Sequence, residues 1–470
     1  RGQQIKVFNQ LKRQMYNDNI GMNTRDLEWP DDEAYEGATV IDPIPGMYML
    51  PVATLDFAAL YPSEIISHNL CFSSLILDAE ELQKCEQIGI RYECITIVGR
   101  TRYFVQGDIK RNGPHENYVE DQTQFLGILP KMLINLLHER GLKKKLMKAA
   151  AKANNKLLEA LYNAWQLSIK VSANSGYGFM GVNPSMALYG CMPVAAATTY
   201  WGRCDIDRTQ EFMLNRKYGT IYGDTDSVML AMTNKNVPES FETGIVLGKD
   251  ATEALFRPPM DLEFEKVYFP YVLIGKKLYY AHMYEKGPLE DDKVVDYKGV
   301  PHKRRDRVLF VRNLTEELMY SIIETMGSHE AIYEILKKYL MKIVLDEFPV
   351  KLYENSKSIG SNYKSENQVQ LYVQKYLKEM NAMQKYTVGD RIPFVQVINP
   401  KISSNAGLCK RAHHPDYFQE AGCIIDRYYY VENSMFHSTM MMINPLRHKY
   451  ISSDNEEENY IEEIDEVFPH

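Results

Sequence analysis

The sequence predicts an α+β protein whose strand-rich body is interrupted by a helical insertion and followed by a helical end. Residues 1–128 mix short strand-like runs with Pro, Gly and Asp turns, as in "IDPIPGMYMLPVATLDF". Residues 129–177 have almost no helix breakers and show helical spacing, which predicts two helices with a break near Asn154–Asn155. A strand-like residue pattern occurs again in "GTIYGDTDSVMLAM", and helix-like segments follow after about Val311.

Length and composition limit the classes of protein to consider. A chain of 470 residues is too long for one core and should hold two to four packed units. It has no run of about 18 uncharged apolar residues and no signal peptide, and it starts with Arg1, so we expect a fragment that does not span a membrane. The seven cysteines form no C-x-x-C pair, which argues against a structural zinc site and for a reducing compartment rather than secretion.

The net charge of −8 is concentrated in a tail. The last 20 residues, "ISSDNEEENYIEEIDEVFPH", contain eight acids and no Lys or Arg, so residues 1–450 carry no net charge. The acidity therefore does not exclude a nucleic-acid partner. The tail is typical of a disordered solubilising end, although its interspersed apolar residues could also dock on a partner.

A pair of aspartates stands in the run "YGDTDSVM" at 222–229. The flanking "TIY" and "SVMLAM" are strand-like, and Gly223–Asp224 is typical of a turn, which predicts a β-hairpin with Asp224 and Asp226 at its tip. Two carboxylates this close repel each other in apolar surroundings. Either the turn is solvated or it binds a cation.

A third aspartate ends an apolar strand in "ATLDFAALYPSEI". Asp56 is followed by a turn of small residues and then by Tyr61 and Pro62, and the proline predicts an extended conformation for Tyr61. Aspartates from two strand ends could meet around Mg²⁺, which prefers oxygen ligands and bridges substrate phosphates. On these stretches alone, two unrelated strand-end aspartates are the alternative.

The helical pair carries basic residues at regular spacing. One predicted helix has a stripe at every fourth position: Arg140, Lys144, Lys148, Lys152 and Lys156. On the second helix Lys170, Asn174 and Tyr177 share one face, which could hold a phosphate and stack on a base or sugar. A solvated face and a core face with one snorkelling lysine are the alternatives.

Two further basic clusters follow. Lys276 and Lys277 lie among aromatic residues in "YVLIGKKLYYAHMY", and "HKRRDR" occupies 302–307. This mixture is typical of proteins that follow a nucleic-acid backbone. Ordinary surface charge is the alternative.

Three of these stretches together carry a family resemblance. "DFAALYPS", "KVSANSGYG" and "YGDTDS", in that order, resemble the three polymerase motifs of family B DNA polymerases. The flanking runs "RGQQIKV", "LEFEKVYFPY", "GDRIPFV" and "YYYVEN" are similar to delta-type replicative enzymes. The resemblance extends over about residues 1–445.

The resemblance implies a right-hand polymerase fold. In that fold 1–130 and 178–310 form a β-sheet palm, 131–177 form helical fingers and 311–450 form a mainly helical thumb, with 451–470 as the acidic tail. The chain departs from the family pattern at Ala59 (usually Ser), Glu64 (usually apolar) and Leu278 (usually Arg). Gly141 is also unusual inside a helix.

The resemblance further implies roles for individual residues. Asp56 and Asp226 would ligate two Mg²⁺ ions, for which Mn²⁺ could substitute, with the Phe57 carbonyl completing a shell and Asp224 as an accessory carboxylate. The residues expected to bind the nucleotide are Ala59, Leu60, Tyr61, Arg140, Lys144, Lys170, Asn174 and Tyr177. Those expected to bind DNA are Lys276, Lys277, Tyr279, Lys298, Arg304 and Arg305.

The implied activity is template-directed DNA synthesis, in which a primer 3′-hydroxyl attacks the α-phosphate of a deoxynucleoside triphosphate and pyrophosphate leaves. The implied partners are primer–template DNA and a processivity factor, in a nucleus or a viral replication compartment. A catalytically inactive DNA-binding relative and a two-metal nuclease are the rival hypotheses. No proofreading exonuclease motif is visible in these residues, and in this family that domain normally precedes "RGQQIKV".

Overall fold

The computed structural model describes residues 2–21, 36–97, 99–107, 109–111, 118–120, 125–182, 190–305, 307–382, 386–403 and 406–451. Residues 452–470 of the predicted acidic tail and Asp306 of the "HKRRDR" cluster lie outside this set. The predicted mixture of helices and strands is confirmed. None of the described helices is both long enough and apolar enough to cross a membrane, and all seven cysteines are free thiols.

The helices are distributed along the whole described chain. In order they are α1 (Gly2–Asn17), α2 (Leu60–Ser67), α3 (Ala79–Gln87), α4 (Ile128–Lys152), α5 (Lys156–Met180), α6 (Met192–Asn215), α7 (Val237–Leu255), α8 (Leu309–Glu324), α9 (His329–Val344), α10 (Val350–Tyr353), α11 (Val369–Glu379), α12 (Arg427–Tyr429) and α13 (His437–Ile443). The wider π-helical turns of Tyr430–Phe436 join the last two. Short 3₁₀ turns occupy Glu290–Asp292, Pro301–Lys303 and Asn444–Arg447.

The strands are mostly short. They are β1 (Val40–Ile41), β2 (Gly46–Met49), β3 (Val52–Phe57), β4 (Leu75–Ile76), β5 (Tyr92–Ile97), β6 (Arg100–Val105), β7 (Ile109–Arg111), β8 (Tyr118–Glu120), β9 (Thr220–Asp224), β10 (Ser227–Ala231), β11 (Leu262–Gly275), β12 (Leu278–Tyr284), β13 (Lys293–Lys298), β14 (Asn355–Ser358), β15 (Arg391–Ile398), β16 (Ala412–His413), β17 (Ile424–Ile425) and β18 (Lys449–Ile451).

The first of two compact units comprises Arg1–Asp42, Ala53–Ala231 and Pro238–Lys266. Its main sheet has the strand order β1-β9-β10-β3-β11, of which β11 contributes its first residues. A smaller sheet has the order β4-β6-β5. The core of this unit lies among α1, α2, α4, α5 and α6 and includes Leu11, Ile65, Leu129, Phe179 and Val194.

The second compact unit comprises Pro43–Val52, Met232–Val237 and Val267–His470. The rest of β11 pairs with β2 and β12, β12 pairs with β13, and β18 runs parallel to β2. Helix α8 contributes buried side chains to the core: Phe310, Leu314, Leu318, Met319 and Ile322. The segment 311–450 contains helices α8 to α13, and it also contains a sheet of β14, β15, β16 and β17 that the sequence did not predict.

Five helices lie in segments where the sequence predicted no helix. Helices α1, α2 and α3 lie in the first 128 residues, and α6 and α7 lie after 178. Helix α6 shows the physical reason, since residues 193–199 are all buried. A helix that is buried on most sides has no polar face, so its sequence lacks the periodicity that identifies an amphipathic helix.

The predicted helical pair is confirmed as α4 and α5, with the break at the predicted place. Asn154 has a left-handed φ of 54°, and the side-chain oxygen of Asn155 accepts a hydrogen bond from the Leu158 backbone N–H at 3.1 Å, which caps α5. The basic stripe is wrong at its last member. Lys156 begins α5, so only four of its residues share α4: Arg140, Lys144, Lys148 and Lys152.

The predicted β-hairpin is confirmed as β9 and β10, but its turn comes later than predicted. Gly223–Asp224 ends β9, and the turn starts at Thr225, which has a φ of 70°. A Cβ on Gly223 would lie 2.5 Å from both Ile41 Cδ1 and the Ser227 carbonyl oxygen. The glycine is required by this close approach within the sheet rather than by a turn.

Gly141 lies inside α4, and apart from its own helical turn no heavy atom of the described residues lies within 4 Å of the position that a Cβ would occupy. We expect Gly141→Ala to raise the free energy of unfolding by about 0.5–1 kcal/mol, because alanine loses less backbone entropy in a helix. Urea denaturation measures the change. Gly248→Ala is the matched control in α7: its Cβ would lie 2.7 Å from the Leu262 carbonyl oxygen, so it should destabilise. A Gly141→Ala variant less stable than wild type would contradict the expectation.

Candidate functional site

Asp56 and Asp226 are brought together where two stretches of backbone meet. Asp56 precedes Phe57, the last residue of β3. The Phe57 backbone N–H donates to the backbone oxygen of Asp226 at 2.7 Å. The backbones of two aspartates far apart in the sequence are therefore tied together in one main-chain frame.

Asp224 belongs to the same frame. The Asp226 backbone N–H donates to the backbone carbonyl oxygen of Asp224 at 2.8 Å, and Thr225 between them has a left-handed φ. Asp224 also pairs with Val40 of β1. The turn is thus fixed by main-chain contacts on both sides.

The electrostatic cost of this arrangement appears in the pKa values of the carboxyl groups. Burial first, and then the charges of Asp226 and Glu265, raise the pKa of Asp56 to about 8, although Lys170 and Lys266 oppose the rise. Burial and the neighbouring carboxylates also raise the pKa of Asp226. The site would be stabilised by added positive charge.

A divalent cation would supply that charge. Carboxylate oxygens suit Mg²⁺, and Asp56 and Asp226 are the side chains that could hold it. Across the described ranges, no group of three or more His, Cys, Asp or Glu side chains is arranged to hold a metal ion. A two-carboxylate site therefore needs further oxygens from backbone, water or substrate, and Mg²⁺ commonly takes them from water and substrate phosphates.

Tyr61 lies in the first turn of α2, so the expected extended conformation is wrong. Pro62 is the third residue of this helix. A backbone N–H at that position has no acceptor within the helix, so proline loses no hydrogen bond there. The first helical turn accommodates the Tyr–Pro pair.

The Tyr61 ring is held between two helices. Its centroid lies 4.7 Å from that of Tyr177 on α5, with the planes inclined by 34°. On α6, a Cβ at Gly202 would lie 3.3 Å from Tyr61 Cε1. Burial, followed by Tyr177 and Asp226, raises the pKa of the phenol, which places Tyr61 within the electrostatic range of the carboxylates.

The N-terminus of α2 follows β3 after two residues. Ala59 has φ 59° and ψ 58°, and no described side chain caps the helix. Backbone N–H groups in the first turn of a helix lack acceptors within it and carry partial positive charge. Leu60 begins a helix end that suits an anion.

Basic residues of α4 and α5 lie near this frame. The charge of Lys170 acts on Asp56 and Asp226 and also on Lys144. Burial lowers the pKa of Lys144 and of Arg140, and Glu263 partly compensates both. The structure therefore connects the basic face of α4 to the carboxylates through Lys170, while Asn174 is exposed one turn further along α5.

The predicted DNA-binding residues of the second unit fall into two groups. Lys276 and Lys277 form the turn between β11 and β12 and are exposed, as are Lys298, Arg304 and Arg305. Tyr279 is only 5% exposed, and its hydroxyl lies 3.3 Å from that of Tyr268. Its ring belongs to the interior.

Sequence reasoning missed Glu265 and Glu263 of β11 as members of the charge network. The signal was present in "LEFEKV", because alternate residues of a strand share one face. It also missed Asp205, which is 3% exposed and lies against the carboxyl group of the unexplained Glu64. Nothing in the sequence around Asp205 indicates that contact.

Comparison with known proteins identifies the relatives of this fold. The sequence model of DNA polymerase family B matches residues 1–446. A DNA polymerase of Paramecium bursaria Chlorella virus NY2A is 34% identical over 455 residues, which cover 95% of this chain and 47% of that protein. DNA polymerase delta catalytic subunits of Plasmodium falciparum and Caenorhabditis elegans are 33% and 31% identical over 92% and 95% of this chain and 38% and 39% of theirs.

The chain spans less than half the length of these relatives. The family match nevertheless covers β3, the β9–β10 hairpin and the α4–α5 pair, which together build the candidate site. The resemblance predicted from the three motifs is confirmed. The chain belongs to DNA polymerase family B.

Proposed function

We propose that this chain carries out template-directed DNA synthesis, adding deoxynucleoside triphosphates to a primer 3′ end with release of pyrophosphate. The observation that carries the proposal is the pair Asp56 and Asp226, which the hydrogen bond from the Phe57 backbone holds together. Family membership and the basic residues of α4 and α5 support it. The helical pair supports the assignment of 131–177 as fingers between palm segments 1–130 and 178–310, with 311–450 as thumb.

The carboxylates are proposed to hold two Mg²⁺ ions. Asp56 and Asp226 would contribute side-chain oxygens and Phe57 its carbonyl, with Asp224 as an accessory charge. When bound, the ions would activate the attacking 3′-oxygen and stabilise the leaving one. The main-chain frame keeps Asp56 and Asp226 in place before the substrate arrives.

The triphosphate is proposed to lie between the N-terminus of α2 and the basic face of α4 and α5. Its negative charge would be balanced by Arg140, Lys144 and Lys170, with Asn174 donating a hydrogen bond. The backbone N–H groups at Ala59 and Leu60 would contact the terminal phosphates. Burial lowers the pKa of Arg140 and of Lys144, so an anion bound beside them would relieve the electrostatic cost of their charges, whereas the carboxylates need the cations.

The exposed lysines and arginines of the second unit are proposed to contact the phosphates of primer–template DNA. Such contacts give affinity without sequence information, as a replicative enzyme requires. Two of the relatives are named catalytic subunits. We propose likewise that this chain works with accessory proteins, including a processivity factor, in a nucleus or a viral replication compartment.

Asp226→Asn tests the role of the carboxylates. The substitution leaves the backbone oxygen that Phe57 contacts, so the frame should persist while primer extension with Mg²⁺ falls by at least about a thousandfold. Primer–template binding, measured by fluorescence anisotropy, should change little. Asp224→Asn is the matched control and should be milder. Near-normal turnover by Asp226→Asn would exclude the two-metal assignment.

Tyr61→Ala tests whether the ring selects the sugar. A rigid ring excludes a 2′-hydroxyl by bulk, whereas an apolar pocket alone discriminates only about a hundredfold. We expect the variant to keep substantial deoxynucleotide incorporation while ribonucleotide incorporation rises by at least about a hundredfold. The measurement is kcat/KM for dCTP and CTP, with Tyr61→Phe as the control that keeps the ring. An unmoved ratio in Tyr61→Ala would show that the ring only packs.

Lys277→Asn tests the backbone contact. Asparagine tolerates the left-handed φ of 57° at this turn position and removes the charge. Loss of one phosphate contact should reduce the slope of log affinity against log salt by about 0.9. Lys337→Gln on α9, an exposed lysine paired with Glu334, should leave the slope unchanged. Equal slopes for Lys277→Asn and wild type would mean that Lys277 does not contact DNA.

A further inference from the structure

Glu64 is a fully buried acid in α2, with 0% of its surface exposed. Neither of its carboxyl oxygens lies within hydrogen-bond distance of an N–H or O–H donor in the described part of the chain. The nearest basic atom, Nε2 of His68, is 3.6 Å from Oε2. An ionised Glu64 would therefore be a buried charge without a donor, which is strongly unfavourable.

The partner of Glu64 is another acid. Its carboxyl group lies against that of Asp205 on α6, which is only 3% exposed. Two ionised carboxylates only accept hydrogen bonds, so a hydrogen bond between these two acids requires that one of them carry a proton. Nη1 of Arg208 donates to Asp205 Oδ1 at 2.9 Å, so Asp205 is the carboxylate and Glu64 the donor.

The electrostatics of the pocket agree with this assignment. Burial and then the charge of Asp205 raise the pKa of Glu64 well above its usual range. Burial also raises the pKa of Asp205, but Arg208 opposes the rise there. The proton shared by the two groups therefore resides on Glu64.

Other ionisable groups around the pair are already engaged. His68 Nδ1 lies 2.7 Å from Glu93 Oε2 on β5 and, since a carboxylate only accepts, donates to it. The His68 ring also stacks on Trp201 of α6 at 4.0 Å. Groups that face the pair from the packed elements are Cys204, Arg208, His68, Glu93 and, through Glu93, Arg257.

The position of the pair connects it to Tyr61. Glu64 follows Tyr61 by three residues on α2, and Asp205 follows Gly202 by three residues on α6. Residues three apart lie on one face of a helix. The faces that meet at Tyr61 and Gly202 are therefore joined again, one turn away, by the hydrogen bond between the two acids.

We propose that Glu64 and Asp205 are a positioning pair for Tyr61: the hydrogen bond that Glu64 donates to Asp205 holds α2 against α6 and so fixes the Tyr61 ring between Tyr177 and Gly202. The consequence for activity rests on the proposed function, in which Tyr61 selects the sugar. Neither acid needs to touch the substrate. The pair acts through the placement of the ring.

Glu64→Leu and Glu64→Gln separate the hydrogen bond from the packing. Leucine fills a similar volume without a donor, whereas the glutamine amide can still donate to Asp205. We expect Glu64→Leu to reduce the ratio of kcat/KM for dCTP over CTP about five- to tenfold, the scale of one lost hydrogen bond. Glu64→Gln should keep the wild-type ratio. Wild-type selectivity in Glu64→Leu would overturn the proposal.

Combination with Tyr61→Ala distinguishes this inference from the sugar-selection proposal. If Glu64 acts through the ring, Glu64→Leu should have no further effect on the ratio in a Tyr61→Ala background. A Tyr61→Ala variant that loses selectivity while Glu64→Leu does not would overturn the positioning role alone. A Tyr61→Ala variant with an unmoved ratio would overturn sugar selection by the ring, and the role of Glu64 in it.

The protonation of Glu64 in the folded protein is tested by the pH dependence of unfolding, a measurement that does not require activity. An acid with a raised folded pKa contributes stability that is present below its unfolded pKa, about 4.3, and is lost as pH rises towards the folded value. Between these values wild type should release one more proton on unfolding than Glu64→Gln. Its unfolding constant should therefore rise about tenfold more per pH unit. Parallel pH profiles would overturn the assignment, even if Glu64→Leu does not fold.

Discussion

The backbone hydrogen bond from Phe57 to Asp226 is the constraint on which the candidate site depends. It joins the end of β3 to the β9–β10 turn, and two partly buried carboxyl groups become neighbours although their charges repel. Side chains alone would relax by moving apart, but main chain fixed in strands does not allow it. The unfavourable charge is thus built into the fold, and Lys170 and Lys266 relieve it only in part.

A second constraint follows directly along the chain. Only Ala58 and Ala59 separate β3 from α2, and Ala59 takes a left-handed conformation that costs a non-glycine residue about 1–2 kcal/mol. The Ala58 backbone N–H donates to the backbone carbonyl oxygen of Asp261, and the Ser63 backbone N–H donates to that of Ala59. Burial of nearly every residue of α2 holds the strained link in place. As a result the Tyr61 ring, five residues after Asp56, lies within the electrostatic range of Asp226.

The sequence predicted features that depend on local patterns. The hairpin, the break at Asn154–Asn155 and the strand end at Asp56 all follow from residues within a few positions of one another. Prediction failed where distant contacts decide. Gly223 resembles a turn residue until Ile41 packs against it, and the first turns of α6 lack a polar face because residues 193–199 are all buried. For Tyr61, the preference of a residue before proline was outweighed by the helix that α2 forms against its neighbours.

The α4–α5 pair has a mechanical property that follows from where it is buried. Each helix has 25 residues, and most of the buried positions, such as Leu129 and Leu133 on α4 and Phe179 and Met180 on α5, lie at one end, whereas Leu157 at the other end is 80% exposed. Two stiff rods clamped at one end act as a lever about 37 Å long. A tilt of about 10° at the clamp would displace the tip by about 6 Å and Lys144 by about 4 Å. The cationic groups could thus approach or leave the carboxylates by rotation, with the packed core unchanged.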